Sequence, residues 1–212
     1  PMVQTDVTVT NMGLDPVLLD AVTSWSSTFG VAADAADDTK SGLEHWDLLE
    51  GRFDWLAEGR WNRRPVREIL PAIGQELTNV DPRQSHQVVS TGTWSTGTNV
   101  PLAILESKEM NLAWLFQIEH NGAWRWDVQD NTADGCMALS GPTNENHAWC
   151  KELHLGESFT TVPASFTIAH DFDGVVANVT DYRREVRSPH HDNAKPSVVF
   201  NDYMNTIYGD PT

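Results

Sequence analysis

Between residues 85 and 169 the chain turns back on itself at intervals of about ten residues, and this rhythm limits its fold more than any other feature. Ser85-His86-Gln87-Val88-Val89-Ser90 and Leu102-Ala103-Ile104-Leu105 read as strands, separated by a Thr-, Gly-, Ser- and Asn-rich loop over 91–99. Residues 112–120 form the strongest strand pattern. Asn121-Gly122 follows it, the best short-range signal for a β-hairpin, and 123–128 alternate on the return. Further strand patterns cover 137–142, 149–155 and 160–169, with Gly156-Glu157-Ser158-Phe159 as a turn. A parallel sheet needs long crossovers that this spacing does not supply, so the pattern predicts a β-sandwich.

The flanks read differently. Residues 7–10 alternate as a strand, and 17–22 read either as a strand or as a single helical turn. Residues 32–42 are rich in Ala and Asp without an apolar face, which predicts an exposed loop. Trp46, Phe53, Trp55 and Trp61 then lie among Arg52, Arg60, Arg63, Arg64 and Arg67. Beyond 169, Val175, Val176, Val179, Tyr182 and Val186 recur at helical steps. Asp173 is placed to cap that helix, and Arg183, Arg184 and Arg187 suit its C-terminal dipole. Ser188-Pro189 ends it, and 190–196 form a polar linker. Ser197-Val198-Val199-Phe200 finally run into Asn201-Asp202-Tyr203-Met204-Asn205. That is the pattern of a buried parallel strand delivering polar groups at its C-terminal end, where α/β barrels bind substrates. A lone parallel strand has no partner, so the pattern is expected to be the opening of a barrel that the chain, ending at Thr212, leaves incomplete.

Charge narrows the partners. Thirty acidic residues against fourteen basic ones give a net charge of -16, which excludes the basic footprint of a nucleic-acid binder and disfavours anionic membranes. No apolar stretch is long enough to span a bilayer, and residues 1–10 lack the pattern of a secretory leader, so a cytoplasmic protein is expected. Cys136 and Cys150 fit either reduced thiols or one bridge, the reduced state being the reading adopted. Asn178-Val179-Thr180 fits a glycosylation sequon of the kind that arises by chance.

Chemistry-bearing clusters are sparse. The close acidic pairs Asp127 and Asp130, Asp171 and Asp173, and Glu44 and Asp47 are expected to be solvated surface groups rather than a catalytic pair. His190-His191-Asp192 supplies adjacent residues in a polar linker, a poor ligand geometry, and His170-Asp171-Phe172-Asp173-Gly174 lacks the later positions of a calcium loop. No metal site is assigned. Nucleotide-binding glycine loops and a serine nucleophile elbow are absent, and no cofactor is implied. Nine tryptophans invite a carbohydrate-binding reading, although core packing accounts for most of them; Trp124 and Trp126 share one strand face.

Several motifs in one order resemble bacterial α-galactosidases of glycoside hydrolase family 36. Phe116-Gln117-Ile118-Glu119-His120-Asn121-Gly122-Ala123-Trp124 resembles that family's Gln-Ile-Glu-His-Asn-Gly-x-Trp segment. Leu153-His154-Leu155-Gly156-Glu157-Ser158-Phe159 with Pro163 resembles its Leu-x-Pro-Gly-Glu-Ser-Phe-x-x-Pro strand pair, and Ser85-His86-Gln87 its Ser-Ser-His-Gln. Residues 196–205 resemble the Pro-Val-Val-Phe-Asn-Asp-Tyr-Met-Asn form of its first barrel strand. The likeness runs over 46–212.

The resemblance implies a mainly β fold: a β-supersandwich of the galactose-mutarotase-like kind over 1–170, incomplete at its start, a helix and linker over 171–196, and the first strand of a truncated (β/α)8 barrel over 197–212. It implies a parent retaining glycosidase acting on terminal α-galactosides of the melibiose or raffinose type, whose two catalytic carboxylates lie on later barrel strands, so that this chain alone is inactive. A raffinose-synthase-like transferase is the neighbouring possibility. By the same resemblance, Asp202 and Tyr203 line the substrate pocket, the alternative being a strand-end cap and a packed ring. Trp61 is implied at the active-site rim of a neighbouring subunit in a homo-oligomer. A stand-alone carbohydrate-binding sandwich and an oligomerisation scaffold without sugar affinity are the competing readings.

Overall fold

The computed structural model describes residues 1–30, 42–72, 79, 84–131, 134–201 and 203. Fourteen strands appear among them: β1 (Val3–Thr5), β2 (Thr8–Thr10), β3 (Val17–Leu19), β4 (Thr23–Phe29), β5 (Asp47–Arg52), β6 (Arg60–Pro65), β7 (Ser85–Ser90), β8 (Asn99–Ser107), β9 (Leu112–Ile118), β10 (Trp124–Asn131), β11 (Asp134–Ser140), β12 (Lys151–Leu153), β13 (Ser158–Thr160) and β14 (Ala164–Ala169). Helical segments are a 3-10 turn at Gly42–His45, α1 (Val66–Ile69), α2 (Asn144–His147), α3 (Phe172–Val186) and α4 (His191–Ala194).

The strands make an antiparallel sandwich. One sheet has the order β1-β14-β9-β8-β5-β6, and the facing sheet β4-β11-β10-β7. Period-two alternation sends Phe116 and Ile118 of β9 and Trp124, Trp126 and Val128 of β10 into the shared core. The two layers meet ring to ring. Phe116 and Trp126 pack edge-on with centroids 5.7 Å apart, and Trp25 stacks on Phe166 at 4.3 Å. Gly135 admits the Phe29 ring over β11, because a Cβ there would overlap that ring and Leu43.

The other face of the larger sheet is also apolar. Leu49, Ile104, Ala113 and Leu115 receive Val175 and Val179 of α3. The helix thus covers the sheet from outside, as its three- and four-residue spacing predicts. Its cap differs from the expected one. Asp171, not Asp173, accepts the Gly174 N–H at 2.8 Å, because Phe172 and Asp173 already lie inside the helix.

The expected hairpin at Asn121-Gly122 does not form. Both edges of β9 are occupied, by β8 and β14, and both edges of β10 by β7 and β11. With no edge left for mutual pairing, the turn carries the chain from one sheet to the other. The hairpins that do form are β5–β6, β8–β9 and β10–β11. Nor do the strands flanking Gly156-Glu157 pair with each other. β12 pairs with β3 and β13 with β2, which together with β1 and β14 draw 3–19 and 151–166 into one long ribbon.

Residues 17–22 contain the strand β3 rather than a helical turn. The expected loop at 32–42 lies outside the described residues except for Gly42, which is buried at the start of the 3-10 turn. The linker contains the single turn α4. No helix among the described residues is long and apolar enough to cross a membrane.

Candidate functional site

The β5–β6 hairpin presents two exposed tryptophans. Its tip projects Trp55, 77% exposed, beside Leu56, and Trp61 stands half-exposed on β6, the sheet's edge strand. Local bonds order the tip: Asp54 accepts the Trp55 N–H at 2.8 Å, Ala57 donates its N–H to the Asp54 carbonyl, and Arg60 Nε donates to the Ala57 carbonyl. Gly51 admits the Val100 side chain against β5, since a Cβ there would meet Val100 Cγ2 at 2.9 Å, and the Trp61 ring lies beside it. An exposed indole of this kind offers an apolar plane to a sugar's C–H face.

Three arginines of this stretch pair with carboxylates of the fold. Arg63 pairs with Glu106 and Asp47 on the outer face, Arg64 with Glu50, and Arg67 with Asp130 and Glu44. Glu50 also meets His86 of the facing sheet at 2.7 Å. Part of the charge that looks basic in the sequence is thus paired within the fold, while Arg52 and Arg60 stay exposed.

The acidic groups behave likewise, and two differ from expectation. Asp127 and Asp130 are buried, not solvated: Asp127 accepts from Arg125 Nε at 3.0 Å and Gln129 Nε2 at 2.5 Å, and Asp130 from Arg67 at 2.5 Å. Three residues apart on one strand, they point to opposite faces and do not form a paired catalytic site. Asp171 is committed to its helix cap.

Of the substrate-lining candidates, Asp202 lies outside the described residues. Tyr203 is exposed and donates its backbone N–H to Asn201 Oδ1 at 3.0 Å. Val198, Val199 and Phe200, which lead to it, are exposed and belong to no described strand. His190, His191 and Asp192 have ligand-type atoms within 4.8 Å of one another, all exposed, with the imidazoles turned onto the Asp192 carboxylate. Cys136 and Cys150 are unbridged; burial first, then Asp127 and Asp134, pushes the Cys136 thiol up, so it is a poor nucleophile.

Three tryptophans are fully buried: Trp46, Trp124 and Trp126. Trp55, Trp61 and Trp94 are the exposed ones. What sequence reasoning missed is Glu119, which gathers hydrogen bonds from the start of the chain, the sheet and α3. The signal was present: Gln117 and Glu119 are polar at alternate positions of an otherwise apolar strand, so its outer face must meet a polar partner.

No family model matches the sequence, and no curated protein matches it. Solved structures do match the fold. The α-galactosidase AgaB from Geobacillus stearothermophilus, of glycoside hydrolase family 36, superposes with a TM-score of 0.72 at 15% identity over 95% of this chain and 25% of its own. AgaA A355E D478A of the same organism, solved in complex with stachyose, gives 0.65 at 15% identity over 90% of this chain and 24% of its own. The Lactobacillus brevis α-galactosidase gives 0.64 at 13% identity over 84% and 21%. At these identities what is shared is the fold: this chain is built as a mainly β sandwich found within family 36 α-galactosidase structures, and it spans about a quarter of AgaB's length.

Proposed function

We propose that the chain is the non-catalytic β-sandwich portion of an α-galactosidase-like retaining glycosidase that acts on terminal α-galactosides of the melibiose or raffinose type. The observation that carries this reading is the AgaB superposition, which takes in nearly all of this chain and only a quarter of that enzyme. The ordered motifs at Gln117–Glu119, Gly156–Phe159 and 196–205 support it independently. So does the complex of AgaA A355E D548N with raffinose, which shares the fold at a TM-score of 0.59.

In this reading residues 197–212 continue as the first strand of a (β/α)8 barrel. Their exposed apolar run, Val198 to Phe200, is what a barrel strand looks like before its neighbours cover it. Asp202 accepts hydrogen bonds from sugar hydroxyls, and the Tyr203 ring stacks on the galactose C–H face. Retaining hydrolysis needs two carboxyl groups about 5 Å apart, one as nucleophile and one as acid and base. Asp127, Asp130, Glu50 and Glu106 are paired with arginines and Asp171 caps a helix, so in this reading the pair comes from the barrel. Trp61 lines the active-site rim of a neighbouring subunit in a homo-oligomer.

The test uses the full-length polypeptide. It is expected to release galactose from raffinose with the anomeric configuration retained, and Trp61→Ala is expected to raise KM several-fold with kcat little changed. Inversion of configuration would contradict the retaining mechanism, and an unchanged KM would remove Trp61 from the rim. The exposed Trp55, Trp61 and Trp94 favour one second reading, a stand-alone carbohydrate-binding sandwich, which predicts sugar affinity without turnover.

A further inference from the structure

The outer face of β9 ends in a polar hub. Glu119 Oε1 accepts from the Tyr182 hydroxyl at 2.8 Å, from Gln117 Nε2 at 3.2 Å and from the Ser165 hydroxyl, while Oε2 accepts from Gln4 Nε2 at 2.6 Å. Beside it Gln117 Oε1 accepts from Arg183 Nη2 at 2.6 Å. One carboxylate therefore joins the outermost strand β1, the neighbouring β14 and the helix α3. The two halves of α3 are held differently. Val175 and Val179 grip the first half by apolar burial. Val186, in the last turn, is 57% exposed, so packing does not fix that end. Polar bonds from Tyr182 and Arg183 do. Burial, and then the bond to Glu119, push the Tyr182 phenol up to about 12, which keeps it a donor over any working pH.

We propose that Glu119 is a positioning residue: it latches the C-terminal half of α3 to the six-stranded sheet and so sets the direction in which the segment bearing Asp202 and Tyr203 leaves the sandwich. The link to substrate rests on the galactosidase reading; the latch itself does not. All these donors converge on the two oxygens of one side chain. Glu119→Gln keeps the shape but turns one acceptor into an N–H2 group facing other donors.

Hydrogen exchange tests the latch. In Glu119→Gln the amides of 181–187 should exchange about ten- to a hundredfold faster, the scale of losing bonds to a charged group, with 173–179 and the central strands unchanged. Tyr182→Phe removes one bond and should give a smaller increase in the same segment, which keeps the test open if Glu119→Gln fails to fold. In the full-length polypeptide, KM for an aryl α-galactoside should rise about tenfold with kcat within about twofold. Wild-type exchange in both variants overturns the proposal. So does acceleration spread evenly through β8, β9 and β14, which would make Glu119 a general brace of the sheet, and so does an unchanged KM. A wild-type polypeptide without turnover defeats the galactosidase reading instead, and the exchange data still decide the latch.

Discussion

Burial alone would raise the pKa of the Glu50 carboxyl, but the hydrogen bond and charge of His86, and then those of Arg64, outweigh it and hold the group below its ordinary value of 4.5. A depressed carboxyl contributes stability above its unfolded value and loses it as pH falls through the folded one. Glu50→Gln should therefore lower the unfolding free energy by about 1–3 kcal/mol at pH 7, leaving Arg64 and His86 without their anion. Denaturant titrations should show that difference shrinking as pH falls below 4.5 and on through the depressed value, where the wild-type carboxyl takes up its proton. An equal deficit at neutral pH and below that range would contradict the ion-pair account. Asp127 shows how far such pairing was legible: its partners Arg125 and Gln129 are two residues away on the same strand face, as period two requires. Asp130 was not legible, because Arg67 lies sixty-three positions upstream. The sequon at Asn178 turns out to be structural, its amide donating to Thr167 Oγ1 at 2.9 Å with Val179 packed on the sheet.

At the level of elements, local periodicity located β7 to β12, β14 and the long helix but not β1, β4, β5 or β6, and pairings depended on information no local window holds. Asn121-Gly122 is the clearest case. The dipeptide favours a tight turn, yet the edges of β9 and β10 are taken by strands from elsewhere in the chain, and the turn becomes a bridge between sheets. The helix cap shifted by two residues for a local reason, since aspartates flank Phe172 on both sides and the structure uses the first. Asp171→Ala should cost about 1 kcal/mol in thermal or denaturant unfolding, within the usual range for removing a cap, and Asp173→Ala a smaller amount. The reverse order would return the cap to Asp173. The arginine-rich β6 has an equally physical account. As an edge strand it carries Arg60, Arg63 and Arg64, and charges of this kind discourage the strand addition that an open edge invites.

For the whole molecule, the sandwich was legible because strand spacing and alternation are global constraints, and a second layer was needed to bury Trp124 and Trp126. The candidate site was legible only in part. Trp61 is half-exposed on the edge strand β6, and Asp202 falls outside the described residues. In the proposed function the sandwich braces and directs, and the carboxylates that would break a glycosidic bond belong to other segments of the full-length polypeptide. The most direct measurement incubates the purified 212-residue chain with an aryl α-galactoside and titrates it with raffinose in a calorimeter. The account predicts no turnover and a Kd no tighter than about 1 mM. Turnover by this chain alone would contradict it by placing a catalytic pair within these residues, and micromolar binding without turnover would make the sandwich a carbohydrate-binding module in its own right.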